Sequence, residues 1–519
     1  MSSNRNVAFA GLLMAVALAA CRFVSLGKEI YIAGVFGARV VMDAYALAVL
    51  VPAIGMTLLV NPIRRAFQTQ YAGHEASSSD GATRFANLFL TNLLIASLVA
   101  AVGVASLLDV VWPIILGSSG SPEVVAALQR LAWPTGLLLV PMTIVSGLMS
   151  VLHVRYRFAK PQLTHVVPTL TVVAFVMARP DWGAGALLWG LFCGLIVQCS
   201  LLLGMVIRSG HRPRFVFNPL SQAGKRLLRV GISLAVIDGL VQANVFVDRW
   251  MAGSLEEGRI SVLYWSGLMK DFFTITLLAS LMSVLIPHFS RQVAENEIDE
   301  LRRSCALVLR YGAMLMFPLS TLIAVCGPVF LSQLQLGALT SEDAGAIGWC
   351  LAAYSLGLFA ELVGPILSQV LVAFGRLRVM LLISIGASFL PNLVLNYLLI
   401  GPLGEVGLAL STALVACVSM TCMYLTVRHT VGIHEETLGF RTIAGSLGAA
   451  LVTAAVGYAV LQMVRSMVPN ESWTQLAAGS AAACAQVTIY VALMFGYPGS
   501  NDARHALSVL QEKLREFLS

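Results

Sequence analysis

Apolar runs of twenty or more residues, separated by short polar connections, recur along the chain from near its start almost to its end. A helix that crosses a bilayer needs about 20 mostly apolar residues. Fourteen runs meet that length: 7–34, 41–62, 84–111, 123–151, 160–178, 183–207, 227–252, 260–287, 304–327, 343–373, 379–399, 404–427, 441–464 and 474–496. The pattern predicts an all-α polytopic membrane protein of about fourteen transmembrane helices. An even number of spans puts both ends on one side. The first run follows Arg5 as a signal peptide would, but it continues past Ala20 without a small-residue cleavage site and so predicts an uncleaved span.

The polar connections fix the orientation. Of the 33 Lys and Arg residues, 23 fall in alternate connections and at the two ends, and only 4 (Arg39, Arg179, Arg259, Arg465) fall on the opposite side. Cytoplasmic loops carry the excess of positive charge, so both termini are expected in the cytoplasm. The longest basic connection divides the chain into a six-helix lobe at 1–207, a cytoplasmic linker at 208–229 and a second six-helix lobe at 230–430. Two additional helices follow at 431–500. The tail, 501–519, can gather Ala506, Leu507, Leu510, Leu514, Phe517 and Leu518 on one face while Arg504, Lys513 and Arg515 reach headgroups. A solvated helix end fits that tail nearly as well.

A weak repeat links the two lobes. Glu29 is followed by Ala33-Gly34 and then Tyr45, and Asp248 at the same spacing by Ala252-Gly253 and Tyr264. An acid at matching places on two opening helices suits a two-lobed transporter.

Composition narrows the class further. Across 519 residues the chain is 58% hydrophobic and 11% charged, far below the charge of soluble domains, about 25%. Its net charge of +7 sits in short loops between spans, which argues against nucleic acid as a partner. The nine cysteines lie in or beside apolar runs with no metal-ligand spacing, so packing is their expected role. No phosphate-binding glycine loop, nucleophile elbow, zinc-protease helix or selectivity-filter repeat occurs. A transporter is expected, with no enzyme activity and no cofactor.

Against this apolar background the charges within spans stand out. Arg22, Lys28, Glu29 and Asp43 lie in or beside the first two runs. A charge near the bilayer centre costs at least about 2.5–3.5 kcal/mol, so four of them predict a wet, protein-lined cavity. The plainer alternative has Arg22 and Lys28 snorkelling to opposite interfaces with Glu29 neutralising Lys28. The second lobe adds Arg249, which also fits an interfacial anchor beside Trp250, and the Lys270-Asp271 pair.

These residues carry a family resemblance. Arg22, Lys28-Glu29, Val35-Phe36-Gly37-Ala38, Asp43-Ala44 with Pro52, and the Arg64-Arg65 end resemble the MurJ/MviN-like lipid II flippases of the multidrug/oligosaccharidyl-lipid/polysaccharide exporter superfamily. Later stretches extend the likeness over about 7–430: Tyr156-Arg157-Phe158-Ala159-Lys160-Pro161, Leu336-Gly337-Ala338-Leu339-Thr340, Ala353-Tyr354-Ser355-Leu356-Gly357-Leu358, and Gly401-Pro402-Leu403 with Gly407-Leu408-Ala409-Leu410-Ser411.

The resemblance implies alternating-access flipping of a polyprenyl-diphosphate-linked glycan, a lipid II-type peptidoglycan precursor, to the periplasmic leaflet. It makes the lipid-linked saccharide and membrane lipids the partners, with envelope-synthesis enzymes as further candidates. Arg22, Lys28, Arg249 and Lys270 would take the diphosphate, with Glu29, Asp43, Asp248 and Asp271 holding those cations. Some members bind Na+ in the second half; the matching positions are Asp238, Asn392, Asn396 and Thr412. There Asn396 replaces an expected acid, and buried asparagines tying helices together are the plainer reading. Na+ or H+ is the coupling ion this would imply.

The departures bear on substrate. Lys28 stands for an arginine, Gly55-Met56-Thr57 for a basic residue on span two, and Ser266-Gly267 for an Asp-Arg pair on span eight. They open a second reading, a flippase for an exopolysaccharide repeat unit. A cation-coupled drug exporter of the same superfamily fits less well, because Arg22 and Lys28 would face a cationic substrate.

Overall fold

The computed structural model describes residues 20–64, 79–116, 121–155, 159–216, 242–432, 440–467 and 472–496, with a few isolated positions between them. The opening of the first span, most of the 208–229 linker, Asp238 with the start of span seven, and the 501–519 tail lie outside the described residues.

Helices stand at all fourteen expected spans. In chain order they are α1 (20–36), α2 (Val40–Gly55, extended by a wide turn over Met56–Val60), α3 (Ser79–Leu116), α4 (Pro122–His153), α5 (159–178), α6 (Ala184–Arg208), α7 (242–252), α8 (Arg259–Ala294) and α9 (Ile298–Ser332). Then come α10 (Ser341–Ser355 and Leu358–Ala373), α11 (377–403), α12 (405–431), α13 (Phe440–Met467) and α14 (Ser472–Gly496). Among the described residues, nine helices are long and apolar enough to cross a membrane, or ten when the two halves of α10, bent by 46°, count as one. In that tally α11 and α12 run together, since helix continues from one into the other except at Gly404, whose φ of 56° no helix accepts. The chain is a multi-pass membrane protein, and the described residues form no β-sheet.

Local chemistry sets the ends and bends. Ser121 caps α4 by accepting the Val124 amide at 3.3 Å, with Pro122 at the first helical position. Thr340 caps α10 through the Asp343 amide at 3.1 Å and donates its hydroxyl to the Asp343 carboxylate at 2.7 Å. Within α2, Pro52 withdraws one backbone donor and the wide turn follows one turn later. The Thr57 hydroxyl donates to the Ala53 carbonyl there at 3.0 Å.

The chain divides into two compact units, Met1–Tyr264 with Leu336–Leu339, and Trp265–Gln335 with Thr340–Ser519. The boundary falls later than the 208–229 linker, because α7 and the first turn of α8 are bound to α2 in unit 1. In that unit Phe67 stacks on Phe89 at 4.0 Å and on Phe85 at 5.4 Å, forming an apolar centre. In unit 2 the additional helices α13 and α14 pack on α9. Fully buried Ala478 and Ala482 lie with Cys326, Val329 and Leu461, and the small residues let the helix axes approach closely. The Tyr490 hydroxyl donates to the Met314 carbonyl at 3.0 Å. Large apolar side chains that remain exposed, such as Val99, Ile114, Met177 and Leu382, are those a bilayer would cover.

Candidate functional site

The cations predicted in α1 have different surroundings. Lys28 is paired with Glu29 at 2.6 Å, and both side chains are largely buried, 14% and 13% exposed. The second oxygen of Glu29, Oε2, is buried and accepts no hydrogen bond among the described residues. Tyr45 of α2 lies close enough to feel the Lys28 charge, and Tyr264 of α8 that of Glu29. The two tyrosines are the matching members of the internal repeat. They meet edge to face at 6.1 Å, so the repeat is realised as a contact within unit 1.

Asp43 holds none of the expected cations. It is buried on α2 and accepts the Gly258 amide at 2.7 Å, the Ser261 amide at 2.8 Å and the Ser261 hydroxyl. These donors open α8, so a carboxylate 215 positions upstream satisfies amides that a helix start leaves without partners, at the positive end of its dipole. Gly258 takes a left-handed φ of 89°, and a side chain there would strike the Ala38 carbonyl. Beside it the motif loop after α9 is stapled to the end of α1, with the Ala338 amide on the Gly34 carbonyl at 2.8 Å.

Arg249 donates to the Ala46 carbonyl at 2.7 Å and lies over the Tyr264 ring at 5.4 Å. Asp248 is buried beside it in α7. In unit 2, Lys270 is held by Glu361 at 2.9 Å and Asp271 at 3.5 Å, over the Tyr354 ring at 5.2 Å. Lys28 and Lys270 therefore share one arrangement, a buried ammonium matched by carboxylate.

Arg22 differs. It is half-buried on α1 and makes no ion pair among the described residues. Its neighbours are on α5: the Cys21 thiol donates to the Gln162 carbonyl at 3.5 Å, Ser25 and Thr169 hydroxyls lie 3.4 Å apart, and the Arg22 charge reaches His165. His165 and Gln198, which holds that ring at 3.3 Å, escaped the sequence reading. Glu361 escaped it too, though it is the sole charged residue between Asp343 and Arg376, and that isolation was the available signal.

Two of the predicted cation-coupling positions are in direct contact. The Asn396 amide donates to the Asn392 Oδ1 at 2.9 Å one turn along α11. Thr412 turns its hydroxyl onto the Leu408 carbonyl of its own helix at 3.0 Å. Oxygen ligands aimed at one point are what a hard cation needs. Asp238, the carboxylate such a set would include, lies outside the described residues.

The family model for the lipid II flippase MurJ matches residues 32–477. The chain belongs to the lipid II flippase MurJ family. Similar curated proteins include the lipid II flippase MurJ of Burkholderia cenocepacia, 24% identical over 502 residues covering 92% of this chain and 93% of the relative. The probable lipid II flippase MurJ of a Synechocystis strain is 24% identical over 446 residues, 81% of each chain. A solved structure titled lipid II flippase MurJ, inward closed conformation, superposes with a TM-score of 0.71 at 17% identity, covering 93% of this chain and 98% of that one. A Vibrio cholerae MATE transporter shares the fold at a TM-score of 0.59 and 15% identity, covering 84% and 100%. Membership in the MurJ family places the chain among transporters rather than enzymes.

Proposed function

We propose that this chain moves a lipid II-type precursor, a glycan on a polyprenyl diphosphate, from the cytoplasmic to the periplasmic leaflet of the bacterial inner membrane by alternating access. Both termini and the 208–229 linker are cytoplasmic in this reading. The family assignment supports the substrate class. The observation that carries the reading is Arg22, a guanidinium half-buried in a membrane-spanning helix and without a carboxylate partner among the described residues.

A diphosphate head cannot enter hydrocarbon without compensation, and an unpaired guanidinium offers the forked donors that phosphate oxygens accept. Lys28 and Lys270 are each closed by a carboxylate, which would have to give way before either took a phosphate oxygen. Return of the empty carrier needs a bias. The membrane potential supplies about 2.3 kcal/mol per charge per 100 mV, and Arg22 gives it a charge to act on. Na+ or H+ gradients are the other candidates for coupling.

A second reading, flipping of an exopolysaccharide repeat unit on the same diphosphate carrier, is favoured by position 267. Gly267 stands where the family has a cation, and open space surrounds it. Complementation separates the two. The chain, expressed in a strain depleted of its own lipid II flippase, is expected to restore growth. Failure to restore it at normal membrane levels would remove lipid II and leave the second reading.

A further inference from the structure

His165 is half-buried on α5, within electrostatic reach of Arg22, and its hydrogen bonding bears on which ring nitrogen carries the proton. The Thr164 hydroxyl lies 2.6 Å from the Pro161 carbonyl, so its single proton is committed there. Its oxygen can then only accept, and it does so from the Gln198 amide nitrogen at 3.0 Å. That same nitrogen lies 3.3 Å from His165 Nδ1. Turning the amide over would set the Gln198 carbonyl toward the Thr164 hydroxyl, which would then have to release the Pro161 carbonyl. Gln198 is fully buried and Thr164 nearly so, so no bulk water relieves the conflict. As placed, the Gln198 amide donates to Nδ1 and its own Oε1 is buried without a partner among the described residues; in that arrangement the neutral imidazole keeps its proton on Nε2. Among the described residues nothing accepts from Nε2.

Two further contacts hold the register. Cys21 and Ser25, one turn apart, bind Gln162 and Thr169 on α5, so Arg22 and His165 are set beside each other by contacts on either side. The Thr169 hydroxyl donates to the His165 carbonyl at 3.3 Å and so receives its bond from Ser25.

We propose that His165, as a neutral Nε2–H donor beside the Arg22 guanidinium, completes a phosphate subsite for the substrate's diphosphate, and that Gln198 is the positioning residue that fixes the tautomer. One cation and one neutral donor suit an oxyanion that must later leave. The pair binds it without the full attraction of two fixed charges. This assignment rests on the diphosphate-lipid reading above.

The test is binding of undecaprenyl diphosphate to the purified full-length chain in nanodiscs, with flipping of lipid II in proteoliposomes measured in parallel. His165→Ala is expected to weaken binding roughly ten- to hundredfold, the range for a hydrogen bond to a charged group. His165→Gln places an amide near Nε2 and is expected to restore most of the affinity. His165→Asn places it near Nδ1 and is expected to stay weak. If the alanine variant does not fold, the Gln and Asn variants decide the matter between them. Equal binding by those two, or wild-type binding by His165→Ala, would overturn the subsite. Competition by phosphatidylglycerol as strong as by inorganic pyrophosphate would reassign it to headgroups and overturn the substrate claim. A chain that binds undecaprenyl diphosphate through His165 yet does not flip lipid II would overturn the transport reading and leave the subsite standing.

Discussion

Arg22 and Lys28 are six positions apart on one helix, yet the protein treats them differently. Lys28 is closed into a buried pair with Glu29, and in unit 2 Lys270 is closed into another with Glu361. Arg22 lies within electrostatic reach of His165, whose Nε2 meets no acceptor among the described residues. A buried ion pair is neutral from a distance and adds little net stability, whereas removing one partner leaves an uncompensated charge. A charge inside a span therefore does not by itself mark a ligand site. What stands opposite the charge decides between a structural pair and a binding group.

The contrast is tested most strongly by removing cations singly. Arg22→Ala should lower transport by about a hundredfold or more, as the loss of a charged hydrogen-bond partner implies, while membrane levels and melting temperature stay near wild type. Lys28→Ala should lower both transport and stability, because it strands Glu29. Comparable melting temperatures for the two variants would erase the distinction.

The unit 2 pair gives a cleaner measure. Glu361→Ala should cost less than the about 3–5 kcal/mol of a fully stranded charge, because Asp271 stays 3.5 Å from Lys270, and the double change Lys270→Met with Glu361→Leu should recover most of it. Thermal melts of the detergent-purified variants would show this. A double variant no more stable than the single one would mean that Glu361 matters for some reason other than charge balance.

Reading these pairs from sequence succeeded where partners are adjacent and failed where they are remote. Lys28 and Glu29 are neighbours, and their pairing was open to view. Lys270 and Glu361 are 91 positions apart, and nothing local joins them. Asp43 was expected to hold a cation, and two of its three actual donors are backbone amides, which leave no trace in residue identity. The helices were legible because bilayer thickness imposes one length on every span. The unit boundary was not, since it depends on the Asp43 contact with α8. His165 resembled any interfacial histidine until Thr164 and Gln198 had been placed around it.

Smaller effects sharpen the account at its edges. Asp43→Ala should destabilise the start of α8 by about 1–2 kcal/mol, the scale of a lost helix cap, with Asp43→Asn losing less. Slower protease cleavage near Gly258 in the alanine variant would contradict the capping role.

Beyond α6, His211 is wholly buried, and burial first and the Arg155 charge second push its pKa below the ordinary 6.5. The folded protein therefore resists protonating it, so the stability it permits is complete above pH 6.5 and falls as acid drives the proton on. His211→Phe should flatten that part of the stability profile below pH 6.5. The smallest change is expected there.

The central claim is that Arg22, without an ion pair among the described residues, serves a diphosphate-linked lipid precursor, and transport itself tests it. Purified protein in proteoliposomes with an imposed potential should expose lipid II in the opposite leaflet, measured by its accessibility to an added processing enzyme. Wild-type protein is predicted to do so at a rate that collapses with Arg22→Ala and survives the paired Lys270→Met and Glu361→Leu change better. Equal rates for wild type and Arg22→Ala would contradict the account.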